Sequence, residues 1–194
     1  MKRLVRHVLS RISPERVQRY AELTGADPAG MEESNVRETH RATIAEEKKT
    51  MSVPEKFTGI FPAFYACYNE EGNISRERTS KLAEFYCNLG IPGLYVAGSS
   101  GECMFHTVEE RKTSLEAVME AVGKKMTIIA HIAAPATRDS IALARHAEKL
   151  GVDAIAMVPG VYYGLSEPVV KKYWCDVLEA TDSVPMFIYN IPGT

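Results

Sequence analysis

The 194-residue sequence has little of what marks several classes of protein. Its four cysteines are widely spaced, and no two of them lie at the spacing of a metal-binding pair. The 23 basic and 25 acidic residues give a net charge of -2, so bulk charge suggests no nucleic-acid partner. The apolar runs are far too short to span a bilayer. We therefore expect a cytoplasmic globular protein with free thiols and no membrane partner.

Several motifs of catalysis and cofactor binding are also absent from the sequence. It contains no dinucleotide fingerprint, no phosphate-binding P-loop and no Gly-x-Ser-x-Gly elbow. His131 ends a predicted strand, but no second histidine or carboxylate lies at ligand spacing from it. We expect His131 to be a hydrogen-bonded structural residue, and we predict neither a metal nor a cofactor.

The first fifty residues differ from the rest. Residues 1–20 hold six basic residues against one acidic residue, Glu15, and their apolar residues recur at helical spacing. Three interpretations stay open: a solvated helical extension, an upstream translated segment before Met51, or a targeting or membrane-surface arm. We predict a helical N-terminal extension over residues 1–53 and a second domain over residues 54–194.

From Phe57 onward, predicted strands and helices alternate. This pattern predicts an α/β fold with about five strands and four helices, built as a parallel sheet. An open doubly wound sheet and a (βα)8 barrel both fit this spacing, and both place chemistry at the carboxyl ends of strands. The strands are predicted near residues 57–65, 94–97, 126–132, 154–158 and 184–189, and the helices near residues 75–89, 107–122, 137–150 and from 166.

Three segments at predicted strand ends are candidates for a site. Residues 98–102, Gly-Ser-Ser-Gly-Glu, combine two glycines with two hydroxyls, which suits an anion such as a carboxylate. Glu102 could brace this segment by accepting backbone N–H bonds, and a simple turn with capping serines is the alternative. Residues 159–164 carry adjacent tyrosines. Tyr189 ends the last predicted strand. Two interpretations are open: it carries protons in a reaction, or it is simply a half-buried tyrosine at a strand end.

Taken together, these segments resemble the dihydrodipicolinate synthase / N-acetylneuraminate lyase family. The resemblance covers about residues 57–194 and rests on three blocks in order, each after the expected strand. The blocks are Gly98 to Glu102, Pro159 to Tyr163, and Tyr189-Asn190-Ile191-Pro192. It implies a partial TIM (βα)8 barrel and a lyase that forms a Schiff base between a lysine and pyruvate or another 2-keto acid.

The resemblance also implies roles for particular residues. Ser99 and Ser100, between Gly98 and Gly101, would hold the carboxylate of the keto acid. Tyr189 would be the catalytic acid and base, with Ser99 and Tyr163 completing a proton relay. The family usually assembles as a tetramer, so a homo-oligomer is expected. No metal or cofactor is implied.

The sequence departs from the family pattern in two places. The family's lysine is expected one βα unit, or ~30 residues, past Tyr189, whereas the sequence given stops at Thr194. Lys171 and Lys172 are predicted on an outer helix and cannot replace that lysine. Thr194 stands where dihydrodipicolinate synthases usually carry an arginine, which favours the N-acetylneuraminate lyase side. A dihydrodipicolinate synthase-like enzyme and an inactive half-barrel fragment remain the alternatives.

Overall fold

Helices and strands alternate along the residues that the computed structural model describes, 54–160 and 163–189. The predicted extension over residues 1–53 lies outside them. A short 3-10 helix, Glu55–Phe57, opens this part of the chain. The strands are β1 Gly93–Val96, β2 Thr127–His131, β3 Ala154–Met157 and β4 Met186–Ile188, and the helices are α1 Arg76–Asn88, α2 Val108–Val122, α3 Thr137–Leu150 and α4 Glu167–Leu178.

The four strands form one parallel sheet in the order β1-β2-β3-β4. Gly93 pairs with Thr127, Ile129 with Ala154, and Ile155 with Met186. Because all strands run in the same direction, their carboxyl ends meet at one edge of the sheet. The predicted parallel α/β architecture is therefore confirmed for this part of the chain.

The prediction of a first strand near residues 57–65 is wrong. Only a single parallel bridge forms there, between Ala63 and Tyr95. The N–H of Phe64 donates to Tyr95 O at 2.9 Å, and the N–H of Tyr95 donates to Pro62 O at 3.0 Å. Pro62 has no N–H to donate, so this ladder is interrupted at its start. The described sheet thus has four strands rather than five.

The two faces of the sheet are packed differently. On one face, Leu94, Val96, Ile128, Ile155 and Met157 are buried in a large aliphatic core with the helices. Alternate residues point to the other face, where a smaller cluster forms. That cluster contains Ile129, Ala154 and Ala156, with Phe57, Phe61 and Tyr95 packed against it.

Local signals set most of the helix ends. Thr107 and Glu110 form a capping box at the start of α2. Gly151 ends α3 in the left-handed conformation, with φ 77°. Ser166 precedes α4 as predicted, but its side chain makes no capping hydrogen bond. In the described part of the chain, no helix has the length and apolar character needed to cross a membrane.

Candidate active site

The segment that follows β1 is a tight turn at the carboxyl edge of the sheet. Ser99–Gly101 form one turn of 3-10 helix. Gly98 O accepts from the N–H of Gly101 at 3.0 Å and from the N–H of Cys103 at 3.3 Å, and Ser99 O accepts from the N–H of Glu102 at 2.9 Å. Among the described residues, the N–H groups of Ser99 and Ser100 have no such backbone acceptor. Both serines are exposed, so a ligand can reach them from solvent.

Gly98 and Gly101 are needed for close approach. A Cβ at Gly98 would lie 2.7 Å from the ring of Tyr95, and a Cβ at Gly101 would lie 2.8 Å from Phe64 O. Contacts this short do not occur without a shift of the backbone or the ring. The two glycines thus let the turn lie directly on β1 and on the segment that bridges to it. Glycine is therefore required at both positions because a Cβ has no space there.

The residues flanking the turn carry its unusual backbone angles. Ala97 and Glu102 both have positive φ, 59° and 55°. This left-handed conformation costs a residue with a Cβ roughly 1 kcal/mol, so other contacts must hold both residues. Ala97 O contacts His131 Nδ1 at 3.0 Å. The Glu102 carboxylate accepts from the hydroxyl of Tyr68. Among the described residues it accepts from no backbone N–H, which is the contact that the sequence suggested.

His131 ends β2 beneath this turn, and the prediction of a hydrogen-bonded structural histidine is confirmed. It is buried, and burial together with the nearby Arg111 lowers its pKa to about 4. The ring is therefore neutral near pH 7 and donates Nδ1–H to Ala97 O. Arg111 is buried as well and donates to His131 O at 2.7 Å and Ala133 O at 2.8 Å. Burial lowers its pKa, but a guanidinium remains protonated at neutral pH.

Tyr95 connects the turn to the end of β4. Its ring lies against Gly98 on one side, and its centroid is 6.2 Å from that of Tyr189. Tyr189 directly follows β4, donates its N–H to Met157 O at 2.9 Å, and is half exposed. The structure therefore places the serine turn and Tyr189 around one aromatic ring, at the same edge of the sheet.

The remaining predicted site residue is Tyr163, in the segment after β3. It is described and is 73% exposed, whereas Val161 and Tyr162 beside it lie outside the described residues. Its place in a relay with Tyr189 stays a prediction. Among the described residues, no group of three or more His, Cys, Asp or Glu side chains could hold a metal ion.

Sequence reasoning missed three residues around the turn. Tyr95 was hidden in an apolar run, Arg111 in the polar pattern of a helix, and Tyr68 in a loop. Alternation along β1 could have placed Tyr95 on the face opposite Leu94 and Val96. No local signal identifies the contact between Tyr68 and Glu102, which are 34 positions apart.

Comparison with known proteins decides the family. Residues 56–194 match the dihydrodipicolinate synthetase family. The chain belongs to this family. The match begins just after the first described residue and covers the sheet, the serine turn and Tyr189.

Members of the dihydrodipicolinate synthetase family that resemble the chain include N-acetylneuraminate lyases. The lyase of Mediterraneibacter gnavus is 48% identical over 151 residues, which are 78% of this chain and 48% of that protein. The solved structure of Ruminococcus gnavus sialic acid aldolase with its catalytic lysine mutated is 49% identical, with a TM-score of 0.71, covering 73% of this chain and 47% of that one. YagE from E. coli K12, solved with pyruvate, is 27% identical with a TM-score of 0.66, covering 70% and 45%.

These relatives confirm the family and the aldolase-type barrel fold for the described residues. The chain spans about half the length of the curated relatives it matches. Within residues 54–160 and 163–189, every lysine lies on a helix or near the amino end of a strand, away from the serine turn. Lys172, for example, pairs with Asp176 on α4. No lysine of this part lies at the carboxyl edge of the sheet, where the serine turn and Tyr189 are found.

Proposed function

We propose that this chain is part of a Schiff-base-forming aldolase that cleaves or forms a carbon–carbon bond next to pyruvate or another 2-keto acid. The observation that carries the proposal is the position of the serine turn and Tyr189 around the ring of Tyr95. An anion-binding turn and a phenol at one edge of a parallel sheet are what this chemistry needs from this half of a barrel.

The turn supplies the binding part. The backbone N–H groups and the hydroxyls of Ser99 and Ser100 can donate to the carboxylate of a keto acid. Gly98 and Gly101 belong to the binding site because they seat the turn against β1 and Phe64. The solved complex of the relative YagE with pyruvate supports a small keto acid as the ligand.

Tyr189 supplies the proton transfer. When a lysine amine adds to the keto carbon, the oxygen must gain a proton and leave as water, giving an iminium that withdraws electrons from the neighbouring bond. We propose that the Tyr189 hydroxyl carries these protons, with Ser99 and Tyr163 as relay partners. The half-exposed position of Tyr189 supports this role because substrate can reach its ring.

The proposal places the lysine outside the described residues. The mutated catalytic lysine of the R. gnavus aldolase and the half-length coverage support this placement. Relatives named N-acetylneuraminate lyase favour a sugar acid over the dihydrodipicolinate synthase substrate, as does Thr194 in the sequence. The 194 residues alone should then have no aldolase activity, and a protein that also supplies the lysine should have it.

We further propose that the complete protein is a homo-oligomer and acts in the cytoplasm. Phe105 is 86% exposed and Tyr163 is 73% exposed, and large exposed aromatic side chains favour a protein interface. Light scattering on the complete protein would test the oligomeric state. A monomer at micromolar concentration would contradict the proposed homo-oligomer.

The experiment uses a chimera in which the second half of the M. gnavus lyase follows residue 194. Incubation with pyruvate and borohydride should attach one reduced pyruvate unit to a lysine of that second half, with a mass gain of pyruvate less the released water plus two hydrogens from the reduction. The chimera should also release pyruvate from N-acetylneuraminate.

The matched control is the 194-residue chain under the same conditions, whose mass should not change. An adduct on one of its own lysines would contradict the placement of the nucleophile. A folded chimera that forms no adduct, or one whose adduct is unaffected by replacing both Ser99 and Ser100 with alanine, would contradict the proposed site.

A further inference from the structure

A hydrogen-bonded group next to the serine turn is not used by the mechanism above. It consists of Tyr68, Glu102 and His106, which we call the Tyr68 group. The Tyr68 hydroxyl donates to the Glu102 carboxylate, and it also lies 2.7 Å from His106 Nε2. The hydroxyl has one proton, which goes to Glu102, so His106 Nε2 must be the donor in the second contact.

Tyr68 is anchored independently of this contact. The Arg78 guanidinium donates to Tyr68 O at 2.6 Å, and Tyr68 forms an antiparallel bridge with Ile74. Its ring centroid is 5.7 Å from that of His106. Burial and the hydrogen bond to Glu102 raise the pKa of Tyr68 to about 12. Tyr68 is therefore a neutral donor at physiological pH and has a fixed place from which to hold Glu102.

Glu102 connects this group to the turn. It has a left-handed backbone, φ 55° and ψ 32°, at the position that closes the turn. Glycine would adopt these angles without strain, so the backbone alone does not explain a glutamate there. Its N–H donates to Ser99 O at 2.9 Å. The same residue thus holds Ser99 through its backbone and Tyr68 through its carboxylate.

We infer that Tyr68 is a positioning residue, which fixes the serine turn through Glu102 and keeps the Glu102 charge directed away from the incoming carboxylate. His106 completes the arrangement by directing the Tyr68 proton toward Glu102. This inference rests on the proposed function for the identity of the ligand. The arrangement of the turn itself does not depend on that function.

The test uses the 194-residue chain labelled with ¹⁵N and four variants. Tyr68→Phe removes only the donating hydroxyl. Tyr65→Phe is the matched control, because Tyr65 lies in the same segment, is exposed and has no hydroxyl contact among the described residues. Glu102→Gln keeps an acceptor for Tyr68 without the charge, whereas Glu102→Gly removes the acceptor and relieves the backbone.

Tyr68→Phe should speed amide exchange at Glu102 and Cys103 about tenfold, the effect of one lost charge-assisted hydrogen bond. It should also shift the His106 Nε2 resonance and weaken the response of the Ser99 and Ser100 amides to pyruvate. Tyr65→Phe should change none of these. Glu102→Gln should keep the slow exchange, as a conservative rescue.

Glu102→Gly separates positioning from stability. Its melting temperature should stay close to that of Tyr68→Phe, because both variants lose the same hydrogen bond and the relieved backbone strain offsets the cost of an added glycine in the unfolded chain. Its Glu102–Cys103 amides should nevertheless exchange fast, and its pyruvate response should be weak. A purely structural role for Glu102 predicts the opposite, that a stable variant keeps a protected turn.

The outcomes distinguish this inference from the proposed function. Equal exchange in Tyr68→Phe and Tyr65→Phe, or a protected turn in Glu102→Gly, would overturn the inference even if pyruvate still shifts the Ser99 and Ser100 amides. Fast exchange in Tyr68→Phe, with no pyruvate response in any form of the chain, would support the Tyr68 group and count against the proposed function.

Discussion

The two faces of the sheet differ in what they bury. The face toward the helices carries large aliphatic side chains such as Leu94, Ile128 and Ile155, all with no exposure. The opposite face carries Tyr95, His131 and Tyr189, together with small residues such as Ala156. Adjacent residues along a strand therefore lie in different environments, since side chains alternate between the two faces.

The difference between the faces indicates that one stabilises the fold and the other holds the polar groups of the candidate site. Aliphatic burial on the helix face supplies most of the free energy of folding. On the other face, Tyr95 Oη is buried with no hydrogen-bond partner among the described residues. Polar groups held there without full pairing are a burden for folding. Substitutions should accordingly affect activity on one face and stability on the other.

The largest effect is expected at Tyr189, in the chimera that supplies the lysine. Tyr189→Phe should lower kcat by about 10²–10⁴-fold, the usual contribution of an acid and base catalyst. The melting temperature should hardly change, since the ring is half exposed and only a hydroxyl is removed. Steady-state kinetics with Tyr86→Phe, a tyrosine of α1, as the control would show the contrast. Equal kcat values for the two variants would remove Tyr189 from the mechanism.

The next effect compares two consecutive residues on opposite faces. Ile128→Ala should reduce the free energy of unfolding by about 3–5 kcal/mol, because a fully buried side chain leaves a cavity in the main core. Ile129→Ala should cost about 2 kcal/mol, since the smaller cluster can collapse more easily. Urea unfolding of the 194-residue chain measures both. A larger loss at Ile129 would reverse the assignment of the faces.

The third effect is a pH dependence from His131. Its folded pKa, about 4, lies below the ordinary value of 6.5. The unfolded chain therefore binds a proton between these pH values when the folded chain does not. The resulting stability is present above pH 6.5 and is lost as the pH falls toward 4, by up to about 3 kcal/mol.

Urea unfolding at pH 7, 5.5 and 4 would measure this loss. His131→Gln keeps a donor for Ala97 O without a titrating group, so its stability should fall less over the same range. The carboxyl groups of Glu110 and Glu148, whose pKa values are lowered by hydrogen bonds, contribute equally to both proteins. Identical pH profiles would mean that His131 titrates normally in the folded chain.

These features differ in how far the sequence could predict them. The capping box of Thr107 and the left-handed Gly151 are local, so residue type and spacing were sufficient. The prediction of a strand near residues 57–65 was wrong because it gave more weight to the apolar composition of the segment than to the missing N–H of Pro62. The contacts of Arg111 with His131 O and of Tyr68 with Glu102 join distant positions, so only the folded backbone reveals them.

The smallest effect is expected from Tyr95→Phe, and its sign is the informative part. The hydroxyl of Tyr95 has no partner among the described residues, and burial raises its pKa. Removing a buried, unsatisfied hydroxyl should leave the free energy of unfolding unchanged or raise it by up to about 1 kcal/mol. The ring that separates Gly98 from Tyr189 stays in place, so the turn should keep its position.

Urea unfolding of the Tyr95→Phe chain, with Tyr173→Phe as the control, would test this. The Tyr173 hydroxyl contacts Ser140 Oγ at 2.7 Å and donates to Ala134 O at 3.1 Å, so its loss should destabilise the chain by about 1–3 kcal/mol. If both variants lose the same stability, the Tyr95 hydroxyl has a hydrogen-bond partner in solution, and this face of the sheet does not hold an unpaired polar group. If they differ as expected, the sheet face beside the serine turn retains a polar group that folding does not require, as a face that receives a ligand should.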